Sequence, residues 1–179
     1  MTERYFYSAA IEAQFLKAYP ATSPALVEAY ATAGLDVRKP LLPAYDYATW
    51  RRCLAAQRAA LLPHLSLEDA CEEQGRRYVA SYFETTMGSA LKVLLRVLST
   101  NRILERMSRN FRSNNSFSVV TMQSTGRTSA ELDVNDVFAE SPRYIKGLLE
   151  HGFACIGREM AITVLSHDGD AARLEARWP

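Results

Sequence analysis

Ala171-Ala-Arg-Leu-Glu-Ala-Arg-Trp178 decides the fold. Along these residues apolar and charged side chains alternate: Ala172, Leu174, Ala176 and Trp178 fall on one side, and Arg173, Glu175 and Arg177 on the other. A period of two is that of a β-strand with one buried and one solvated face. Just before it, Asp168-Gly169 is a hairpin-turn pair, and Ala161 to Ser166 supplies the strand that enters the turn. Further upstream, Ser141-Pro142 reads as an N-cap followed by proline at the first helical position. Ile145, Leu148, Leu149, Phe153 and Ile156 then recur at helical spacing up to a stop at Gly157. Before that helix, Phe117–Gln123 and Thr128–Val134 read as a second hairpin across Ser124-Thr-Gly126-Arg, with Ala130, Leu132 and Val134 on its inner face. The order hairpin, helix, hairpin makes a four-stranded antiparallel sheet with one face in water and the other covered by helices.

The segment ahead of the sheet reads as helical. Tyr5-Phe-Tyr7 is an edge strand or a helix start, and Ile11–Tyr19 is helical until Pro20. Ser23-Pro24 opens a helix that Gly34 closes, and Tyr47–Leu61 forms another that ends before Pro63. Ser66-Leu-Glu-Asp69 is a capping box with aspartate in place of glutamate. It opens a helical region from Leu67 to Leu98, with a break expected near Thr85-Thr-Met-Gly88. Ala90–Leu98 is apolar almost all round, so it is expected to be buried on several sides as the spine of the domain. A further helix is expected from Asn101 to about Arg109, capped by Thr100. The fold class is therefore α+β, a helical N-terminal layer on a C-terminal β-β-α-β-β sheet, in one domain spanning residues 1–179.

Composition narrows the function classes. The 179 residues are 48% hydrophobic and 23% charged, as in an ordinary globular domain with a sizeable core. A net charge of +1 gives no global field towards nucleic acid or anionic lipid. No run reaches the ~18 apolar residues of a membrane span, and the N-terminus lacks a signal-peptide pattern, so the expectation is a cytoplasmic protein. Cys53, Cys71 and Cys155 are far apart and form no CxxC pair, which points to reduced, buried thiols rather than a disulfide framework or a metal site.

The search for chemistry yields no catalytic residue. No GxSxG elbow, phosphate loop or catalytic cysteine signature is present. The acidic pairs Glu68-Asp69 and Glu72-Glu73 lie in the first turns of a helix, where they offset its dipole. No enzyme activity is expected. Arg102, Arg106, Arg109 and Arg112 are spaced four, three and three, on one face of a helix opposite Ile103, Leu104 and Met107. That face could meet an anion, an acidic partner protein or nucleic acid; without aromatic interleaving and with a near-neutral chain, the solvated-face reading is preferred and nucleic acid is not expected.

The motifs Tyr45-Asp-Tyr-Ala-Thr-Trp50, Leu62-Pro-His-Leu-Ser-Leu-Glu-Asp-Ala70, Gln74-Gly75-Arg76, Phe83-Glu-Thr-Thr-Met-Gly88, Phe111-Arg-Ser-Asn-Asn115, Tyr144-Ile-Lys-Gly147 and Ala176-Arg-Trp178 run in this order through nearly the whole chain. In that order they resemble a myxobacterial paralogous family of unknown function (domain-of-unknown-function family 2378). That family is similar in fold to haem–nitric-oxide sensor, four-vinyl-reductase and TRAPP-type tethering domains. The resemblance implies a helical layer on a four-stranded sheet, a homodimer paired through the helices, and a ligand site between helices and sheet. Tyr78, Tyr82, Phe83, Met87, Leu91 and Leu95 are the candidates to line that site, with Thr86 supplying polarity and Gly88 giving it room. The alternative is that these side chains simply fill the core. Phe15, Leu16 and Tyr19 are the candidates for an exposed dimer contact.

Haem ligation needs an axial side chain on a helix and polar groups for the carboxylates. The histidines are few (His64, His151 and His167), and the Tyr-x-Ser-x-Arg signature of the haem branch is missing, so no cofactor is expected. The leading reading is a non-enzymatic signalling or protein-interaction domain. The alternative is a sensor that buries a small hydrophobic ligand.

Overall fold

The structure, a computed structural model, describes residues 3–19 and 23–179. Strand β1 (Tyr5–Tyr7) leads into α1 (Ser8–Ile11), which continues as a π-helical segment over Glu12–Lys17. Pro20, expected to stop this helix, lies outside the described residues. Helix α2 (Pro24–Ala33) is capped as its sequence requires: the Ser23 side chain accepts the Leu26 N–H, and Gly34 ends the helix at φ +105°. Strand β2 (Ala44–Asp46) pairs antiparallel with β1, and Asp46 caps α3 (Tyr47–Leu61) by accepting the Thr49 N–H at 2.8 Å. Neither β2 nor this cap was expected, because three residues give too little alternation to read as a strand.

Helix α4 (Leu67–Tyr82) starts at the expected capping box, where Ser66 Oγ accepts the Asp69 N–H and donates to the Asp69 carboxylate at 2.7 Å. The expected break follows, with Thr85 capping α5 (Thr86–Val97) through a 3.0 Å bond from the Gly88 N–H. Two short helices come next, α6 (Thr100–Glu105) and α7 (Met107–Arg112), where a single helix was expected. Strands β3 (Val120–Gly126) and β4 (Ser129–Val134), helix α8 (Arg143–Ala154), and strands β5 (Ala161–Asp168) and β6 (Ala171–Arg177) complete the chain. The four strands form one antiparallel sheet, as the hairpin–helix–hairpin reading expected, in the order β3-β4-β6-β5. Ala130, Leu132, Val134, Ala172, Leu174 and Ala176 are buried beneath the helices.

The spine is α4 crossing α8, which corrects the expectation for α5. The two helices touch backbone to backbone at Gly75 and Gly147. A Cβ on Gly75 would lie 2.0 Å from the Tyr144 carbonyl oxygen, and one on Gly147 would lie 2.1 Å from that of Glu72. Helix α5 instead lies at the edge. Leu95 is buried and Leu91 half-buried, while Met87, Val93, Leu94 and Val97 face solvent. Apolar residues all round a helix signal several partners, and among the described residues much of this helix's apolar surface stays exposed.

The rest of the core is an aromatic cluster. Phe6 stacks on Trp50 at 3.9 Å, and Phe15 meets Tyr30 and Trp50 edge-on at 5.4 and 5.2 Å. Phe15 is thus 1% exposed and is a core residue, not a dimer contact. Tyr19 is also buried, under the Arg77 guanidinium at 4.6 Å, and of the three candidates only Leu16 reaches solvent.

Candidate functional site

A cavity of about 80 Å³ opens among α4, α5, α7 and α8. Tyr78, Val79, Tyr82 and Phe83 come from α4 and its end, and Leu91 and Leu95 close it from α5. Ile103, Met107 and Phe111 form a second wall, and Leu148, Leu149, Gly152 and Phe153 of α8 a third. Among the described residues no strand residue lines it, so it lies within the helical layer rather than between helices and sheet. The structure brings together five of the candidate pocket residues, Tyr78, Tyr82, Phe83, Leu91 and Leu95. It leaves out the other three. Thr86 and Met87 lie on the solvent side of α5. Gly88 is buried in the α4–α5 turn, where a Cβ would lie less than 2.5 Å from the Tyr82 carbonyl oxygen. The glycine there permits a close backbone approach and makes no room for a ligand.

The polar end of the cavity comes from residues that sequence reasoning missed. Asn110, Asn114 and Asn115 line it. Asn115 Oδ1 accepts the N–H groups of Phe117 and Ser118 at 3.1 and 2.8 Å, which fixes the orientation of the amide. Its Nδ2, like Asn114 Oδ1, is buried without a partner among the described residues. An unpaired buried donor or acceptor costs about 1–3 kcal/mol, and both residues border the cavity. The sequence signal was present in the Asn114-Asn115 pair, but only the return of the chain past β1 turns it inward: the Tyr7 N–H donates to the Asn114 carbonyl at 2.9 Å.

Phe138 is the second missed residue. It sits at φ +64°, a left-handed conformation that a bulky residue rarely adopts. Two bonds hold it there: its N–H donates to Asp136 at 2.7 Å, and its carbonyl accepts Trp50 Nε1 at 2.9 Å. The backbone turn delivers the ring to the cavity wall, edge-on to Phe111 at 5.4 Å.

Burial holds Tyr78 neutral, its hydroxyl pushed well above the usual phenol range first by desolvation and then by Tyr82. Tyr82 Oη lies 3.4 Å from Ser113 Oγ. No charged side chain lines the cavity among the described residues. Among those residues, too, no three His, Cys, Asp or Glu side chains gather as a metal site would require, and no helix is long and apolar enough to cross a membrane. The four arginines do not form one face. The helix breaks at Arg106; Arg102 pairs with Glu105 at 3.0 Å, and Arg112 donates to the Ser118 carbonyl, while Arg109 is exposed.

The fold is that of H-NOX domains. Solved structures that it matches include one on the modulation of haem redox potential through protein-induced porphyrin distortion (TM-score 0.63, 11% identity, 86% of this chain and 84% of that chain). Another is a mutant T. tengcongensis H-NOX (TM-score 0.58, 11% identity, 86% of each chain). A third is an oxygen-binding H-NOX domain related to soluble guanylate cyclases, in its oxygen complex (TM-score 0.57, 11% identity, 86% of this chain and 84% of that chain). At such identity the likeness shows the fold alone. Residues 4–179 match the family described as a protein of unknown function (DUF2378), and the chain belongs to that family. No curated protein matches it.

These matches correct the expectation that the chain takes no cofactor. The fold is shared with domains described by their haem, so haem stands among the ligands to be tested. The cavity fits that group in part. Its walls are aromatic and apolar, and Tyr78, Tyr82 and Met107 carry atoms of the kinds that ligate haem iron. Among the described residues no histidine lines it, and no cation stands ready for the carboxylates. Its volume also falls below the ~300 Å³ at which most ligand pockets begin.

Proposed function

We propose that this domain is a sensor that buries a small hydrophobic ligand in the cavity among α4, α5, α7 and α8. The observation that carries the reading is the pairing of an apolar chamber with two unpartnered polar atoms, Asn115 Nδ2 and Asn114 Oδ1. A ligand with an apolar body and a head that both accepts and donates a hydrogen bond would satisfy both atoms without importing charge. The H-NOX domains that share the fold support a ligand-binding role, and one of them is described as binding oxygen.

Benzamide and toluene test the reading, since they share a ring and only benzamide carries the amide head. Thermal unfolding is followed with each, and haemin is titrated in parallel by absorption. The expected result is a larger stabilisation by benzamide than by toluene. Asn114→Leu removes an unpaired acceptor, so it folds at least as stably as the parent and loses the preference for benzamide. Absence of any shift with both ring compounds, together with no bound haemin spectrum, overturns the proposal.

A further inference from the structure

Of the helices that wall the cavity, all but one are held in place. Helices α4 and α8 touch backbone to backbone at Gly75 and Gly147 and cannot part without breaking that crossing. Helix α7 is tied to the sheet. Ser108 Oγ donates to the Val120 carbonyl at 2.7 Å and accepts the Val120 N–H at 2.6 Å, and Arg112 Nε donates to the Ser118 carbonyl at 3.0 Å. Helix α5 is the exception. Only Gly88 and Leu95 of its residues are buried, and Leu91 and Leu95 are what it gives to the cavity wall. A short turn pins its N-terminal end: Thr85 Oγ donates to the Tyr82 carbonyl at 2.7 Å and accepts the Gly88 N–H at 3.0 Å. Beyond that turn, among the described residues, one side chain joins the helix to the rest of the chain by hydrogen bonds. Arg158 Nη2 donates to the carbonyl of Arg96, at 3.4 Å, and to that of Leu98. Lys92 adds a looser contact, 5.6 Å from the Phe83 ring centroid.

We infer that α5 is a lid on the cavity, pivoting on the Thr85–Gly88 turn, and that Arg158 is the positioning residue that latches its far end. The inference rests on the reading of the cavity as a ligand site. Arg158 is itself firmly placed. It follows Gly157, which turns the chain off the end of α8 at φ +79°, and its own N–H donates to the Phe153 carbonyl at 3.0 Å. The latch is thus anchored on one of the two helices that cannot part. Its guanidinium meets no carboxylate among the described residues, and Nη1 is buried there without a partner. The two accepting carbonyls lie at the C-terminal end of α5, where a helix runs out of internal donors and a cation complements its dipole. Loss of the latch frees the end of α5 farthest from the pivot, and a swing on the turn carries Leu91 and Leu95 off the chamber. A helix that buries so few of its side chains opens at a lower cost than global unfolding, as lids over ligand sites do.

Native-state hydrogen exchange of the ligand-free protein tests the lid without a ligand. The amides of residues 90–97 are expected to exchange through an opening that α4 and α8 do not share. Arg158→Met removes the charged donor and speeds exchange in α5 alone by about tenfold, the worth of one hydrogen bond from a charged group. Arg158→Lys keeps a donor and falls between the two. Benzamide then tests what the lid is for. Its on- and off-rates rise together in Arg158→Met while its Kd hardly moves, because the closed form still dominates. A merely structural role for Arg158 would lower global stability and leave those rates alone. The lid is overturned if α5 exchanges only through global unfolding, or if Arg158→Met leaves its exchange unchanged. Benzamide that binds the variant at the parent's rates overturns the lid and leaves the ligand site standing. A protein that binds neither ring compound nor haemin overturns the ligand site first, and the inference with it.

Discussion

Filling the cavity from α5 should stabilise the protein and abolish ligand binding in one step. Leu91 lines the chamber, and Leu91→Phe exchanges its isopropyl end for a phenyl ring without changing the polarity of the wall. Empty space in a core costs about 24 cal/mol per Å³, so a dry cavity of about 80 Å³ represents about 2 kcal/mol. Phenylalanine is larger than leucine by only about a quarter of that space, so it recovers about 0.5 kcal/mol, which for a domain of this size raises the thermal midpoint by about 1–2 °C. A site already full behaves in the opposite way, since overpacking costs about 1–3 kcal/mol. Urea unfolding of ligand-free protein measures the difference, and the benzamide response of the variant measures the occupancy. A loss of more than about 1 kcal/mol would refute the premise of free space. A variant that is stabilised yet binds benzamide like the parent would place the ligand elsewhere.

Three further outcomes follow from the geometry. Gly75→Ala gains about 1 kcal/mol of helix propensity, yet its methyl meets the Tyr144 carbonyl at 2.0 Å, so α4 and α8 must part and unfolding experiments should show a net loss of about 1–3 kcal/mol; a gain in stability would contradict the crossing. Burial pushes the Cys53 thiol up to about 12, and Cys71 is equally enclosed, so a thiol reagent should modify half-buried Cys155 first and reach the other two only on unfolding, as peptide mapping would reveal. Burial and then the Arg76 charge lower the pKa of His151. The unfolded chain therefore binds the proton more readily, and stability is full above the unfolded value of about 6.5 and falls as pH drops through the lowered folded pKa. His151→Gln should flatten that part of the pH profile, and an unchanged profile would assign it to other groups.

The sheet was legible because its signals are local. Alternation in Ala172–Trp178 and the Asp168-Gly169 turn each act within a few residues, and the structure follows both; the helix expected to start at Ser141-Pro142 forms one residue later, with Pro142 rather than Ser141 at its N-cap. Caps at Ser23, Ser66 and Gly34 were legible for the same reason. Position in the layer was not. The apolar run Ala90–Leu98 announces that it needs partners, but not that part of its surface stays uncovered within one chain. Phe15 and Tyr19 looked available on an N-terminal helix, and only the return of α3 and α4 buries them. The site divides along the same line. Tyr78, Tyr82, Phe83 and Leu91 were candidates through the resemblance to small-molecule-binding folds, whereas Asn114, Asn115 and Phe138 enter through a loop crossing and a left-handed turn that no periodicity encodes.

The central claim is that the cavity exists to be occupied, and native mass spectrometry of freshly purified parent protein beside Leu91→Phe tests it most directly. The account predicts a non-covalent mass on the parent that disappears on denaturation and is missing from the variant. A parent chain at its sequence mass alone, which takes up neither benzamide nor haemin when they are supplied, would contradict it.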